Sequence, residues 1–134
     1  MNLDEVEDAF GKDLLEIPGR PSIIWPGGNL DVPRPRLIFQ HNPFAVEDDT
    51  LDCTYIYWTG NFTLTALTTG SNRVNEARYI YELLKDRYPK GRRIAINAQN
   101  TMLINKPPAP RTGFPDGADW RLPIVIDYLT EKKT

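Results

Sequence analysis

Trp120-Arg121-Leu122-Pro123-Ile124-Val125-Ile126-Asp127-Tyr128 is the stretch that decides how this chain folds. In extended backbone, side chains alternate between faces, so Trp120, Leu122, Ile124, Ile126 and Tyr128 form one unbroken apolar ridge. A strand of that quality completes a sheet. Residues 106–119, which feed it, carry four of the chain's twelve prolines. That is too many for a helix or a central strand, because both need the N–H that proline lacks.

Working backwards, Arg93-Ile94-Ala95-Ile96 and Met102-Leu103-Ile104 flank a polar turn at residues 97–100, which predicts a hairpin. Val74, Ala77, Ile80, Tyr81, Leu84 and Tyr88 recur at helical spacing and predict a helix over about 72–88. Ser71 is its expected N-cap and Pro89-Lys90-Gly91 its stop. Residues 52–67 are rich in Thr, Tyr, Trp and Phe and strongly favour strand. Gly60-Asn61 interrupts them, giving either a hairpin of 53–58 with 62–68 or one long bulged strand. Residues 62–67 are the expected central strand.

Upstream, residues 42–51 read as a loop. Residues 35–41 read as a strand with Leu37, Phe39 and His41 on one side and Ile38 on the other. A short apolar segment, Ser22-Ile23-Ile24-Trp25, ends at Pro26-Gly27-Gly28. Leu3, Val6, Phe10 and Leu14 predict an N-terminal helix capped by Asn2 with Glu5, and acids crowd its first turn, where the helix dipole favours them. Both helices have one apolar stripe. The fold class is therefore α+β: a single domain over 1–134, a mixed, mostly antiparallel sheet of about five to six strands, and two helices packed on one face.

Composition narrows the function classes. Sixteen basic and eighteen acidic residues give a net charge of −2, which argues against a nucleic-acid binder built on a basic field. A single cysteine, Cys53, allows no internal disulfide and no thiolate metal site. The acidic N-terminus lacks a leader pattern, and no apolar run approaches the roughly 18 residues of a membrane span, so a soluble intracellular product is expected.

Residues that carry chemistry are scarce. His41 is the only histidine, with no second ligand-type residue at workable spacing, and a strand position at a sheet edge accounts for it. Cys53 lies in a strand-rich run, as small core residues do. Glu47, Asp48, Asp49 and Asp52 do not match a calcium loop. No phosphate-binding glycine signature occurs, and Arg34, Arg36, Lys90, Arg92 and Arg93 read as scattered surface charge. No catalytic, metal or cofactor residue is assigned, and no cofactor is expected. Trp25, Trp58 and Trp120 stand near strand and turn boundaries, where they either cap the core or anchor an interface. The long segment 106–119 raises the same question, since long irregular loops commonly contact partners.

The order of these elements carries a resemblance. An N-terminal helix precedes Ile23-Ile24-Trp25-Pro26-Gly27, then a strand opening Pro35-Arg36-Leu37, then Tyr57-Trp58-Thr59-Gly60. The helix ending Tyr88-Pro89-Lys90-Gly91, the hairpin and the closing strand follow. Nearly the whole chain thereby resembles the tail-terminator-like proteins of long-tailed bacteriophages. The resemblance implies a non-enzymatic structural protein of the virion, assembled in the bacterial host cytoplasm. It implies a ring, hexameric in that family, on the head-proximal end of the tail tube. Such a ring stops tube polymerisation and joins the tail to the head connector, so the implied partners are further copies, the tail tube protein and the connector or adaptor. DNA passes only through the lumen, and no membrane is involved. Ring contacts are heterologous. On this basis loops 42–52 and 106–119 supply contacts, with Trp25, Trp58, Arg111, Phe114, Asp116 and Trp120 as candidate interface residues. Glu47, Asp48 and Asp49 form a candidate lumen-facing acidic loop. Another head–tail joining or minor tail protein is the alternative. A small enzyme using His41 or Cys53 and an accessory nucleic-acid binder are the competing classes.

Overall fold

The computed structural model describes residues 2–28, 32–47 and 56–132, without the side chains of 45–47 and 56–57. Helix α1 (Leu3–Leu15) is followed by strands β1 (Ser22–Ile24), β2 (Arg36–Glu47) and β3 (Ile56–Thr69). Then come helix α2 (Arg73–Arg87), β4 (Arg93–Ala95), β5 (Asn100–Ile104), β6 (Ala109–Pro110), β7 (Phe114–Asp116) and β8 (Asp119–Lys132). The main sheet runs β1-β2-β3-β8-β5-β4, six strands as expected, and β6 and β7 add short pairings to β8. Among the described strands only β1 with β2 is parallel. The fold is α+β with a mixed, mostly antiparallel sheet.

The closing strand is the spine of this sheet. β8 pairs along one edge with β3, Phe62 opposite Ile126 and Leu64 opposite Ile124. Along its other edge it meets β7, β6 and β5 in turn. The proline-rich segment is therefore a broken edge strand rather than a free loop. Its prolines are tolerated because only short stretches join the ladder. The turn from β7 into β8 uses Gly117 at φ 62°.

Three expectations are corrected. Residues 42–47 are not loop but the far half of β2, paired with residues 56–61 of β3. Residues 56–69 form one long strand, so the hairpin alternative at 53–58 and 62–68 is excluded. Gly60 does mark the irregularity: its φ is 156°, and a Cβ there would lie 2.3 Å from the Asn42 carbonyl oxygen. Ser71 is not the cap of α2. Asn72 flanks the first turn, with no side-chain cap bond, and Thr68 Oγ1 donates to the Arg73 carbonyl at 2.6 Å. At α1 the expected cap forms, with the Glu5 N–H donating to Asn2 Oδ1 at 2.9 Å.

Strand alternation sorts the side chains. One face presents Leu37, Phe39, Phe62, Leu64, Ala66, Leu122, Ile124, Ile126, Met102 and Ile104, all buried. Val6, Phe10 and Leu14 of α1 and Ala77, Ile80 and Leu84 of α2 join the same cluster, so both helices cover this face. Its centre is aromatic. Phe62 stacks on Phe10 at 4.0 Å and on Tyr128 at 4.8 Å, and Tyr88 reaches Phe10 at 4.9 Å. Rings in such contact add about 0.5–1.5 kcal/mol per pair beyond their area burial. The second face, with Arg36, Ile38, Gln40, Asn42, Thr63, Thr65, Arg121 and Pro123, carries neither helix.

Candidate functional site

His41 is at an open stretch of sheet edge, since β1 pairs with β2 only as far as Ile38, but its ring turns inward. The side chain is 1% exposed and stacked on Phe62 at 4.5 Å. Nδ1 lies 2.9 Å from Glu7 Oε1 and Nε2 lies 2.6 Å from the Tyr128 hydroxyl. A carboxylate only accepts, so Nδ1 carries the proton and donates to Glu7, and the Tyr128 hydroxyl donates to Nε2. Burial lowers the histidine's pKa against the opposing pull of Glu7, and neutral imidazole fits this bonding pattern. Burial, aided by the Glu7 charge, pushes the Tyr128 phenol well above its usual range.

A second polar cluster ties α1 to the end of α2 and the start of β4. Arg87 Nε donates to Asp13 Oδ1 at 3.0 Å, and Arg92 Nη1 donates to the same oxygen at 2.9 Å while its Nη2 binds Oδ2. Burial opposes the Asp13 charge, but the bonds from Arg92 and Arg87 outweigh it and hold the carboxyl below its ordinary range. The scattered basic residues are tied down in the same way. Arg34 Nε reaches Asp119 at 2.8 Å, and Arg93 reaches Glu131 at 2.8 Å.

The candidate interface residues separate into different places. Trp25 packs against Phe39 at 5.4 Å and over Gly11, whose missing Cβ leaves room for the indole. It is a half-buried seal between α1 and β1. Trp58 lies inside β3 rather than at a turn; its N–H donates to Thr130 Oγ1 at 2.8 Å, and its buried Nε1 has no partner among the described residues. Trp120 sits opposite Thr68 of β3, ten residues from Trp58 and so roughly 33 Å away along the strand. Phe114 is 46% exposed on β7, opposite Arg121. Asp116 is engaged by Arg121 Nε at 2.6 Å across the hairpin.

Arg111 and Trp120 do come together. They line one groove between α2 and the proline-rich segment, with a cavity volume of about 400 Å³. Val74, Arg78, Tyr81 and Glu82 form the helix wall and Trp120 and Leu122 the floor. The opposite wall is fixed in place: Tyr81 Oη donates to the Pro108 carbonyl at 3.3 Å and the Arg111 N–H to the Pro123 carbonyl at 2.8 Å. Gly113 is required there, because a Cβ would stand 2.7 Å from the Trp120 ring. The Arg73 guanidinium lies 5.9 Å from the same ring and donates to the Asp119 carbonyl at 3.2 Å. Arg78 and Arg111 are exposed and have no acidic partner among the described residues.

Asp48, Asp49 and Cys53 lie outside the described residues, as does the side chain of Glu47, whose backbone closes β2 opposite Ile56. Among the described residues no group of three or more His, Cys, Asp or Glu could hold a metal ion, and no helix is long and apolar enough to cross a membrane. Sequence reasoning missed Glu7, Asp13 and Arg78. The first two had a signal: both fall on the apolar stripe of α1, Glu7 three residues before Phe10 and Asp13 three after it. A carboxylate on such a stripe is buried only where a partner meets it.

No family model and no curated protein matches the chain. A solved structure that bears no functional name is similar over its whole length. It has a TM-score of 0.73 at 15% identity and covers 100% of this chain and 99% of its own. At that identity, what the two share is the α+β fold.

Proposed function

We propose that this protein is a structural component of a long-tailed bacteriophage: the tail terminator, a ring-forming protein at the head-proximal end of the tail tube. In this reading it acts by surface complementarity. Copies join head to tail into a ring, hexameric as in the family it resembles, which caps the tube and offers the head connector a docking surface. The observation that carries the reading is the one-sided sheet. Helices cover one face, while the other has none and ends in the exposed rings of Phe44 and Phe114, 63% and 46% accessible. Beyond Ile38, β2 also has an edge that no described strand pairs. Unpaired edges and exposed aromatic rings are features that assembly finishes.

The burial of His41 favours this reading over a small enzyme using that residue. Both ring nitrogens are engaged and the side chain is closed to solvent.

The test is the native mass of the purified protein with and without tail tubes, read by sedimentation and electron microscopy. Assembly of copies into a six-fold ring on tube ends is the expected result. A protein that stays monomeric and never associates with tubes refutes the assignment.

A further inference from the structure

The groove floored by Trp120 has the chemistry of a receptor for an acidic segment with an apolar side chain. Arg78 and Arg111 present guanidinium groups from its two walls, neither with an acidic partner among the described residues. The one carboxylate lining it, Glu82, lies 3.5 Å from Lys85 Nζ. Between the arginines lie the indole of Trp120 and the side chain of Leu122, surfaces that take an aliphatic residue.

The chain itself contains a matching segment. Glu47-Asp48-Asp49-Thr50-Leu51-Asp52 has four carboxylates, no base and one leucine. It begins where β2 ends, at the Glu47–Ile56 pair, whereas Trp120 is opposite Thr68. Twelve residues of β3 separate the two, roughly 40 Å. Residues 48–55 are tied at both ends to that pair, and eight residues so tied reach out no more than about 14 Å. The segment cannot occupy the groove of its own chain.

We propose that the groove between α2 and the proline-rich segment binds residues 47–52 of a second copy. The contact joins two different surfaces from opposite ends of the sheet; repeated head to tail, such a contact closes as a ring where the rotation between copies allows it. This deepens the ring reading, on which its biological setting rests, and makes the acidic run a contact rather than a lumen lining.

The probe is a peptide of residues 45–54, with Cys53→Ser and blocked termini, titrated into the full-length protein while the Trp120 indole N–H is followed by nuclear magnetic resonance. Saturable shifts at Trp120 that weaken with salt are expected, and R78Q with R111Q should weaken binding about tenfold for the two exposed pairs together. Both arginines are on the surface, so the variant keeps its fold. In full-length protein, D48N with D49N should lower self-association by a similar factor. No shift at millimolar peptide, or shifts indifferent to the arginine changes, overturns the proposal. So does a groove that responds to the tail tube protein and not to the peptide. If the peptide binds as described but the protein never caps tubes, the contact stands and the terminator assignment falls.

Discussion

Replacing Tyr128 by Phe removes one oxygen from the core and nothing else, which makes it a sharp test of the bonding pattern around His41. The ring stays stacked on Phe62, so the apolar contribution is retained. What disappears is the hydroxyl that donates to His41 Nε2 across 2.6 Å, in a site where that nitrogen has no access to water. A buried acceptor left unsatisfied costs about 1–3 kcal/mol. With an unfolding entropy of about 2.1 cal/mol/K per residue over 134 residues, the melting temperature falls by about 4–11 °C. A second readout separates this account from a general packing defect. The hydroxyl is the partner of His41 Nε2, so losing it moves the histidine pKa. His41 is the only histidine, so its ring protons give one unambiguous titration curve. Thermal melts and that curve are measured on both proteins. A variant as stable as the parent, with an unmoved titration, refutes the assignment of the hydroxyl as donor to Nε2.

The remaining predictions test the other joints. Burial depresses the folded-state pKa of His41, so the unfolded chain binds more protons as pH falls. Stability is full above about 6.5 and declines as pH drops from there through the folded value, and denaturant midpoints at pH 7.5 and 5 should show a fall that H41Q reduces. Asp13→Asn leaves Arg87 and Arg92 without their shared carboxylate and should cost about 1–3 kcal/mol, below the fully buried case because the arginines are partly solvated. The Asp13 carboxyl is held below its ordinary range, so its stabilisation is present above about pH 4 and lost as pH falls further; D13N should unfold over a shallower acid profile. Gly60→Ala drives a Cβ against the Asn42 carbonyl and should destabilise by about 2 kcal/mol or more in denaturant melts, since strained backbone and overpacking combine.

Much of this architecture is written in the period of the sequence. The ridge from Trp120 to Tyr128, the stripe of α2 and the cap at Asn2 are local signals, and each is where the spacing puts it. What fails does so for identifiable reasons. The far half of β2 contains Asn42 and Pro43, residues that normally mark loops. They are tolerated in a strand because pairing with β1 stops at Ile38, beyond which no described strand pairs that edge, and proline is admitted at an edge. The segment 106–119 was legible as irregular, but its pairing with β8 comes from tertiary register that no local pattern encodes. The groove was half legible. Trp120 and Arg111 stood out, while Arg78 reads as ordinary solvated charge until the fold brings α2 beside the proline-rich segment. The Glu7–His41–Tyr128 array joins residues 34 and 87 positions apart, and only the packing of α1 across β2 and β8 unites them.

A hydroxyl, an imidazole and a carboxylate in series also make up the catalytic triad of hydrolases, so its role here must be decided on physical grounds. In a relay the hydroxyl faces substrate, its proton is easily lost, and the imidazole readily takes it up. Each condition is reversed in this protein. Tyr128 is 1% exposed, its phenol is pushed upward by burial and by the Glu7 charge, and the imidazole is pushed downward by burial. Both shifts hold the inner groups neutral, which is what a low-dielectric position requires. The charge is placed at the other end, on Glu7, whose side chain is 33% exposed and keeps contact with water. The array is thus graded from a neutral, buried hydroxyl to a charged, solvated carboxylate, with every bond direction fixed. With the hydroxyl and imidazole buried and bonded to each other, the array sets the height and rotation of α1 over the sheet. α1 carries Phe10 into the aromatic centre and Gly11 under Trp25, so the same three side chains fix the seal at the open end of β1.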